Sequence, residues 1–82
     1  MKVAVIGGID PVLGFSFAGV KDRYLVDSPQ EAENALNRCL QDHDIGIILI
    51  EELFARHLTT RIKATKKSRQ IYPIILPIPG SG

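Results

Sequence analysis

The sequence holds one cysteine, no tryptophan, no excess of either charge and no long apolar run. Each shortage excludes something. Cys39 has no partner for an internal disulfide, so a disulfide scaffold is out and a reducing, cytoplasmic setting is expected. Ten basic and nine acidic side chains give a net charge of +1, which provides no bulk attraction to nucleic acid or to acidic membranes. No stretch approaches the roughly 18 apolar residues a span needs, and the opening Lys2-Val3-Ala4-Val5-Ile6 is too short for a signal peptide. Direct membrane insertion is therefore not expected. No internal repeat or low-complexity segment is present.

What remains is 82 residues, 45% hydrophobic and 23% charged, the composition of one small globular domain. A chain of this size buries about three-fifths of its unfolded surface, enough to fold alone with a thin margin. Four short apolar runs alternate with helical patterns: Lys2 to Ile6, Tyr24 to Val26, Ile45 to Ile50 and Ile74 to Leu76. Their near-continuous apolarity predicts a parallel sheet covered on both faces. Gly46 interrupts the third run, and close packing of a helix is the expected reason.

Three helices are expected between the strands. The first runs from Pro11 to Ala18, capped by Asp10 and ended by Gly19. The second opens on the capping box Ser28-Pro29-Gln30-Glu31 and carries one apolar stripe, Ala32, Ala35, Leu36, Cys39 and Leu40. The third runs from about Glu52 to Lys67 on Phe54, Leu58 and Ile62, with Glu51 and Glu52 at its positive end and Lys66, Lys67 and Arg69 at its negative end. The order β-α-β-α-β-α-β predicts a doubly wound α/β fold, Rossmann-like or receiver-like, with strand order 2-1-3-4.

In such a sheet, ligands bind above the carboxyl ends of the strands. That rim holds Gly7, Gly8 and Asp10 after the first strand and Glu51 and Glu52 after the third. Gly7 to Gly14 matches neither G-x-G-x-x-G nor a P-loop, and Phe15 stands where the P-loop lysine would follow. A receiver-type site would need clustered carboxylates, to which Asp10 and Glu51 are the only contributors here. Capping by Asp10 and a dipole role for the two glutamates is the plainer reading.

Zinc needs about four converging ligands, and one cysteine with two scattered histidines does not supply them. Ser16, Ser28, Ser68 and Ser81 have no base at telling spacing. No catalytic residue, metal site or cofactor is assigned. Six of the ten basic residues fall between Arg56 and Arg69 with no acid among them, either as a solvated helix face or as a surface for an acidic partner. Nucleic acid ranks behind both, for want of stacking aromatics. Phe15 and Phe17 point about 200° apart on a short helix, so one of them is open to being exposed and available to a partner.

The opening Lys2-Val3-Ala4-Val5-Ile6-Gly7, then Asp10, Gly14-Phe15 and Ala18-Gly19-Val20, resembles the F-subunit family of archaeal-type and vacuolar-type rotary ATPases. Pro29 to Glu33, the strand Asp44 to Ile50 ending in a glutamate, and the close Tyr72-Pro73-Ile74-Ile75-Leu76-Pro77-Ile78-Pro79-Gly80 extend the resemblance over the whole chain. Departures fall at Gly8, Pro11, Ser16-Phe17 and Ile50-Glu51-Glu52, where the family usually has Asp, Thr, Arg-Leu and Ile-Thr-Glu.

The resemblance implies a non-catalytic component of the central rotor stalk, peripheral on the cytoplasmic face of the membrane. It implies binding to the coiled-coil D-subunit of the stalk. It also implies a part in regulating ATP hydrolysis or synthesis coupled to ion transport. Nucleotide would be handled by the A- and B-subunits of the catalytic head, with which contact is expected mainly through the family's C-terminal tail, missing from this sequence. Asp10, Phe15, Ser16, Glu51 and Glu52 are the expected partner-binding residues. The family continues past I-P-G into a helical tail. The expected division is therefore a single α/β domain over 1–78 and a C-terminal stub, from a truncation, over 79–82. The alternative to a rotor component is a receiver-like signalling or small-ligand-binding domain.

Overall fold

The computed structural model describes residues 1–67 and 73–80, the side chains of 66 and 67 excepted. Ser68, Arg69, Tyr72, Ser81 and the side chains of Lys66 and Lys67 lie outside the described residues.

The chain order is β1 (Lys2–Gly7), α1 (Ile9–Phe17), β2 (Asp22–Leu25), α2 (Pro29–Gln41), β3 (Ile45–Glu51), α3 (Glu52–Ala55), a 3₁₀ turn (Arg56–Leu58), α4 (Thr59–Lys67) and β4 (Ile74–Ile78). The four strands form one parallel sheet in the order β2-β1-β3-β4, as the apolar runs predict. β1 and β3 are central, and their Ala4, Ile6, Ile48 and Ile50 are fully buried. α2 seals one face as its stripe requires. Ala32, Ala35, Leu36 and Cys39 are buried, and the Ser28 hydroxyl accepts the Glu31 N–H at 3.2 Å. Glu31 reaches back to the Asp27 N–H at 3.0 Å. Phe54, Leu58 and Ile75 join the same apolar cluster, with Ile62 packed against it, so α2 and the α3–α4 segment share that face.

Five local expectations are corrected. α1 begins at Ile9, two residues early, with Gly8 as its cap residue, so Asp10 is a first-turn acid and not the cap. Its end matches the expectation: Val20 N–H bonds Phe15 C=O, Gly19 N–H bonds Ser16 C=O, and Gly19 takes φ +94°, a turn that favours glycine. β2 spans Asp22–Leu25: Val26 N–H on Gly7 C=O at 2.9 Å is the last ladder bond to β1, which itself ends at Gly7. The third helix is not continuous: a 3₁₀ turn separates α3 from α4, where the Thr59 hydroxyl donates to Arg56 C=O.

Gly46 is not a helix-packing site. It is the extra residue of a bulge between the Lys2↔Ile45 and Val3↔Ile47 pairs, and a Cβ there would overlap the Met1 side chain. Lastly, the sheet is not covered on both faces along its whole width. Leu25, Ile74 and Leu76 on the two edge strands remain 60%, 42% and 46% exposed.

At the amino end of the sheet, Lys2 Nζ donates to Asp42 Oδ2 at 2.5 Å, and Asp44 N–H donates to Asp42 Oδ1 at 3.0 Å. The Lys2 ammonium first, and then the Asp44 amide, hold the Asp42 carboxyl below its ordinary range. A lowered carboxyl stabilises the fold above its unfolded pKa, and the contribution is lost as pH falls through the folded value. The window therefore opens near pH 4 and extends downward. Denaturant melts at pH 5 and pH 3 are expected to show a smaller loss of stability for Asp42→Asn than for the parent. The gap is small because both partners face solvent.

Candidate functional site

The carboxyl rim of the sheet is built around Glu51. β3 delivers it at the strand's last position, opposite Ile78 of β4, and the residue is 8% exposed. Its Oε1 accepts the Gly8 N–H at 2.8 Å. Gly8 is the cap residue of α1, so a carboxylate from the neighbouring strand fills the slot where a phosphate would sit in a nucleotide-binding turn. Gly7 brings the β1–α1 turn against this side chain: an added Cβ would lie 3.1 Å from Glu51 Cβ. Gly80 packs on it from the other side, where a Cβ would meet Oε2 at 2.5 Å.

Glu51 therefore ties three segments together: the Gly7-Gly8 turn, the end of β3 and the chain leaving β4. Its expected dipole role toward the third helix is corrected. It precedes α3 without a side-chain cap bond, and its carboxylate serves α1 instead. Glu52 does occupy the first turn of α3, exposed, with Arg56 Nη2 donating to it at 3.3 Å.

Asp10 lies exposed in the first turn of α1, two residues from the Gly8–Glu51 bond. Phe15 is half-buried and Ser16 accepts from Arg23 of β2. Phe17 is 84% exposed, so one of the two phenylalanines does face solvent. Among the described residues no three Asp, Glu, His or Cys groups converge as metal ligands do. The basic segment is partly engaged: Arg61 donates twice to Asn37 of α2, at 3.1 and 2.8 Å, and Arg56 pairs with Glu52. Cys39 is fully buried, and burial pushes its thiol up to about 11, with the adjacent Tyr24 hydroxyl pulling the other way. It is a core residue.

The site residues therefore fall into two groups. Asp10, Glu51 and Glu52 belong to the rim. Phe15 and Ser16 lie along α1, beside a feature not anticipated from the sequence. Alternate residues of a strand face opposite ways. With Ile48, Ile50 and Ile75 on the α2 side, Ile47, Leu49, Ile74, Leu76 and Ile78 face the α1 side. α1 packs on β1 and β2 and is the only helix on that face among the described residues. Over β3 and β4 it leaves a trough. A groove of about 350 Å³ lies at its upper end, between Pro11, Gly14, Phe15 and Ala18 of the α1 segment and Ile78-Pro79. The sequence shows only that three helices are few for both faces of four strands; which face is short of one follows from α2 and the α3–α4 segment lying together.

The profile of the family described as "ATP synthase (F/14-kDa) subunit" matches residues 3–82, nearly the whole chain. The chain belongs to the ATP synthase F-subunit family. Among its relatives, the A-type ATP synthase F-subunit of Pyrococcus furiosus is 41% identical over 96% of this chain and 75% of its own length. That of Methanothrix thermoacetophila is 35% identical over 95% of this chain and 78% of its own. The crystal structure of the V-type ATP synthase F-subunit from Archaeoglobus fulgidus superposes with a TM-score of 0.65 at 22% identity, covering 94% of this chain and 95% of that one, a likeness of fold. The F-subunit fold thus accounts for the four-stranded sheet. Among the described residues no helix is long and apolar enough to cross a membrane.

Proposed function

We propose that this F-subunit domain is a non-catalytic rotor-stalk component of an A/V-type ATP synthase. In this reading it binds the coiled-coil D-subunit of the stalk, and through it helps couple or regulate ATP turnover and ion transport. The folded unit over 1–78 performs the binding, peripheral to the membrane on its cytoplasmic side, and the A- and B-subunits handle nucleotide. One observation carries the reading. The rim position that would cradle a phosphate is filled from within by the Glu51 carboxylate, while an apolar sheet face stands open beside α1. Such a surface suits docking better than turnover.

Calorimetric titration of the domain with the coiled-coil stalk protein is the test. Saturable one-to-one binding is expected. A folded domain that releases no heat and co-elutes with no partner defeats the proposal. The receiver-like alternative requires Mg²⁺ and a phosphodonor to act at Asp10 and Glu51, and the Gly8–Glu51 bond already occupies that corner.

A further inference from the structure

We propose that the trough over β3 and β4 is the seat of one partner helix, laid beside α1 as the missing second helix of that face. The inference rests on the stalk-binding reading and assigns it a surface.

The geometry sets the occupant. Strands lie about 4.8 Å apart and a helix is about 10 Å across, so one helix covers two strands. On the opposite face α2 and the α3–α4 segment together span β1, β3 and β4. On this face α1 packs on β1 and the near side of β2, leaving Leu25 exposed at that edge, and over β3 and β4 there is room for one helix. The floor is apolar up to Glu51, whose bond to Gly8 closes the upper end: Ile47 and Leu49 are half-buried, and Ile74 and Leu76 are 42% and 46% exposed. Strand addition is the less suitable mode of docking there, because Pro77 leaves the β4 edge without one amide donor.

The wall fits a close helix. Gly14 sits mid-helix in α1 with ordinary φ, and nothing lies within 4 Å of the Cβ it lacks. Neither conformation nor packing inside the domain explains a residue that disfavours a helix. With Ala18 four residues on, it presents a flat strip beside the groove, where a neighbouring helix backbone can approach. The trough is as long as β4, about 16 Å, or three helical turns. The occupant is thus a segment of about eleven residues with an apolar i, i+4, i+7 stripe, which one strand of a coiled coil provides.

The test is calorimetric titration with the coiled-coil stalk protein, using the full chain and four variants. Leu76→Lys is expected to bind at least tenfold more weakly, with an unchanged melting temperature because Leu76 is exposed. Leu76→Met is expected to bind like the parent. Leu53→Lys, at a comparably exposed position (56%) on α3, is expected to stay within twofold. Gly14→Leu is expected to melt no lower than the parent yet bind at least tenfold more weakly.

Parent-like binding by both Leu76→Lys and Gly14→Leu overturns this proposal and leaves stalk binding intact. Failure of the parent chain to bind removes both. Equal weakening by Leu53→Lys overturns the choice of face. Sedimentation showing a dimer of the chain alone, abolished by Leu76→Lys, assigns the trough to a second copy and overturns the partner helix. A direct readout uses Leu76→Cys. Cys39 is the one native cysteine and is buried, so a cross-linker on residue 76 is expected to capture the apolar stripe of the stalk helix.

Discussion

Ile50→Ala is expected to lower the stability of the domain by about 3 kcal/mol, within the 2–5 kcal/mol range of buried isoleucine truncations. Ile50 is fully buried on a central strand, paired with Ile6 on one side and Pro77 on the other. Truncation removes its transfer free energy and leaves a cavity between the sheet and the α2 side. An 82-residue domain has a total stability of roughly 4–12 kcal/mol, so the loss is a large fraction of the whole. A midpoint drop of about 12–24 °C is expected by thermal melting.

Ile74→Ala, on the opposite face of the neighbouring strand, is expected to change stability by less than about 1 kcal/mol. The contrast tests the one-sided cover of the sheet. Equal losses at the two positions would mean that the α1 side is covered after all.

Glu51→Ala carries the second-largest effect. The Gly8 N–H loses a charged acceptor in a partly buried setting, and a donor left unsatisfied there costs its desolvation. Gly7 and Gly80 lose the side chain they pack on. A destabilisation of about 2 kcal/mol is expected, with faster amide exchange over Gly8 to Val12 as α1 loosens. Glu51→Gln keeps an acceptor in the same place and is expected to lose about half as much. If Glu51→Ala melts with the parent, the carboxylate does not hold the turn, and the phosphate slot is not closed from within.

The fold was largely legible because its signals are redundant. Ser28 to Glu31 and the stripe from Ala32 to Leu40 each specify α2 independently. The apolar runs and their spacing by helices leave few topologies besides 2-1-3-4. What escaped was long-range. Asp10-Pro11 is a sound local start signal, but α1 opens at Ile9, with Gly8 C=O accepting the Val12 N–H and the Gly8 amide held by Glu51, 43 positions along the chain.

Gly46 reads as a weak point in a strand. Only the register against Lys2 and Val3 exposes the bulge and the Met1 side chain above it. The run Ile74-Ile75-Leu76 looks buried on both sides, yet an edge strand far from α1 hides only Ile75. The candidate site divides the same way. Asp10, Glu51 and Glu52 were placed at the rim by topology alone. The trough needed the count of helices per face, which requires knowing that α2 and α3 lie together.

The most direct test of a docking domain with a closed rim is an amide NMR titration of the isotope-labelled chain, first with Mg²⁺–ATP and then with the coiled-coil stalk protein. No movement is expected at Gly7, Gly8 or Asp10 with nucleotide. With the stalk protein, saturable shifts are expected to concentrate at Gly14, Ala18, Ile47, Leu49, Ile74 and Leu76. Nucleotide shifts centred on Gly8 would contradict the closed rim, and stalk-induced shifts confined to α2 and α4 would contradict the open face.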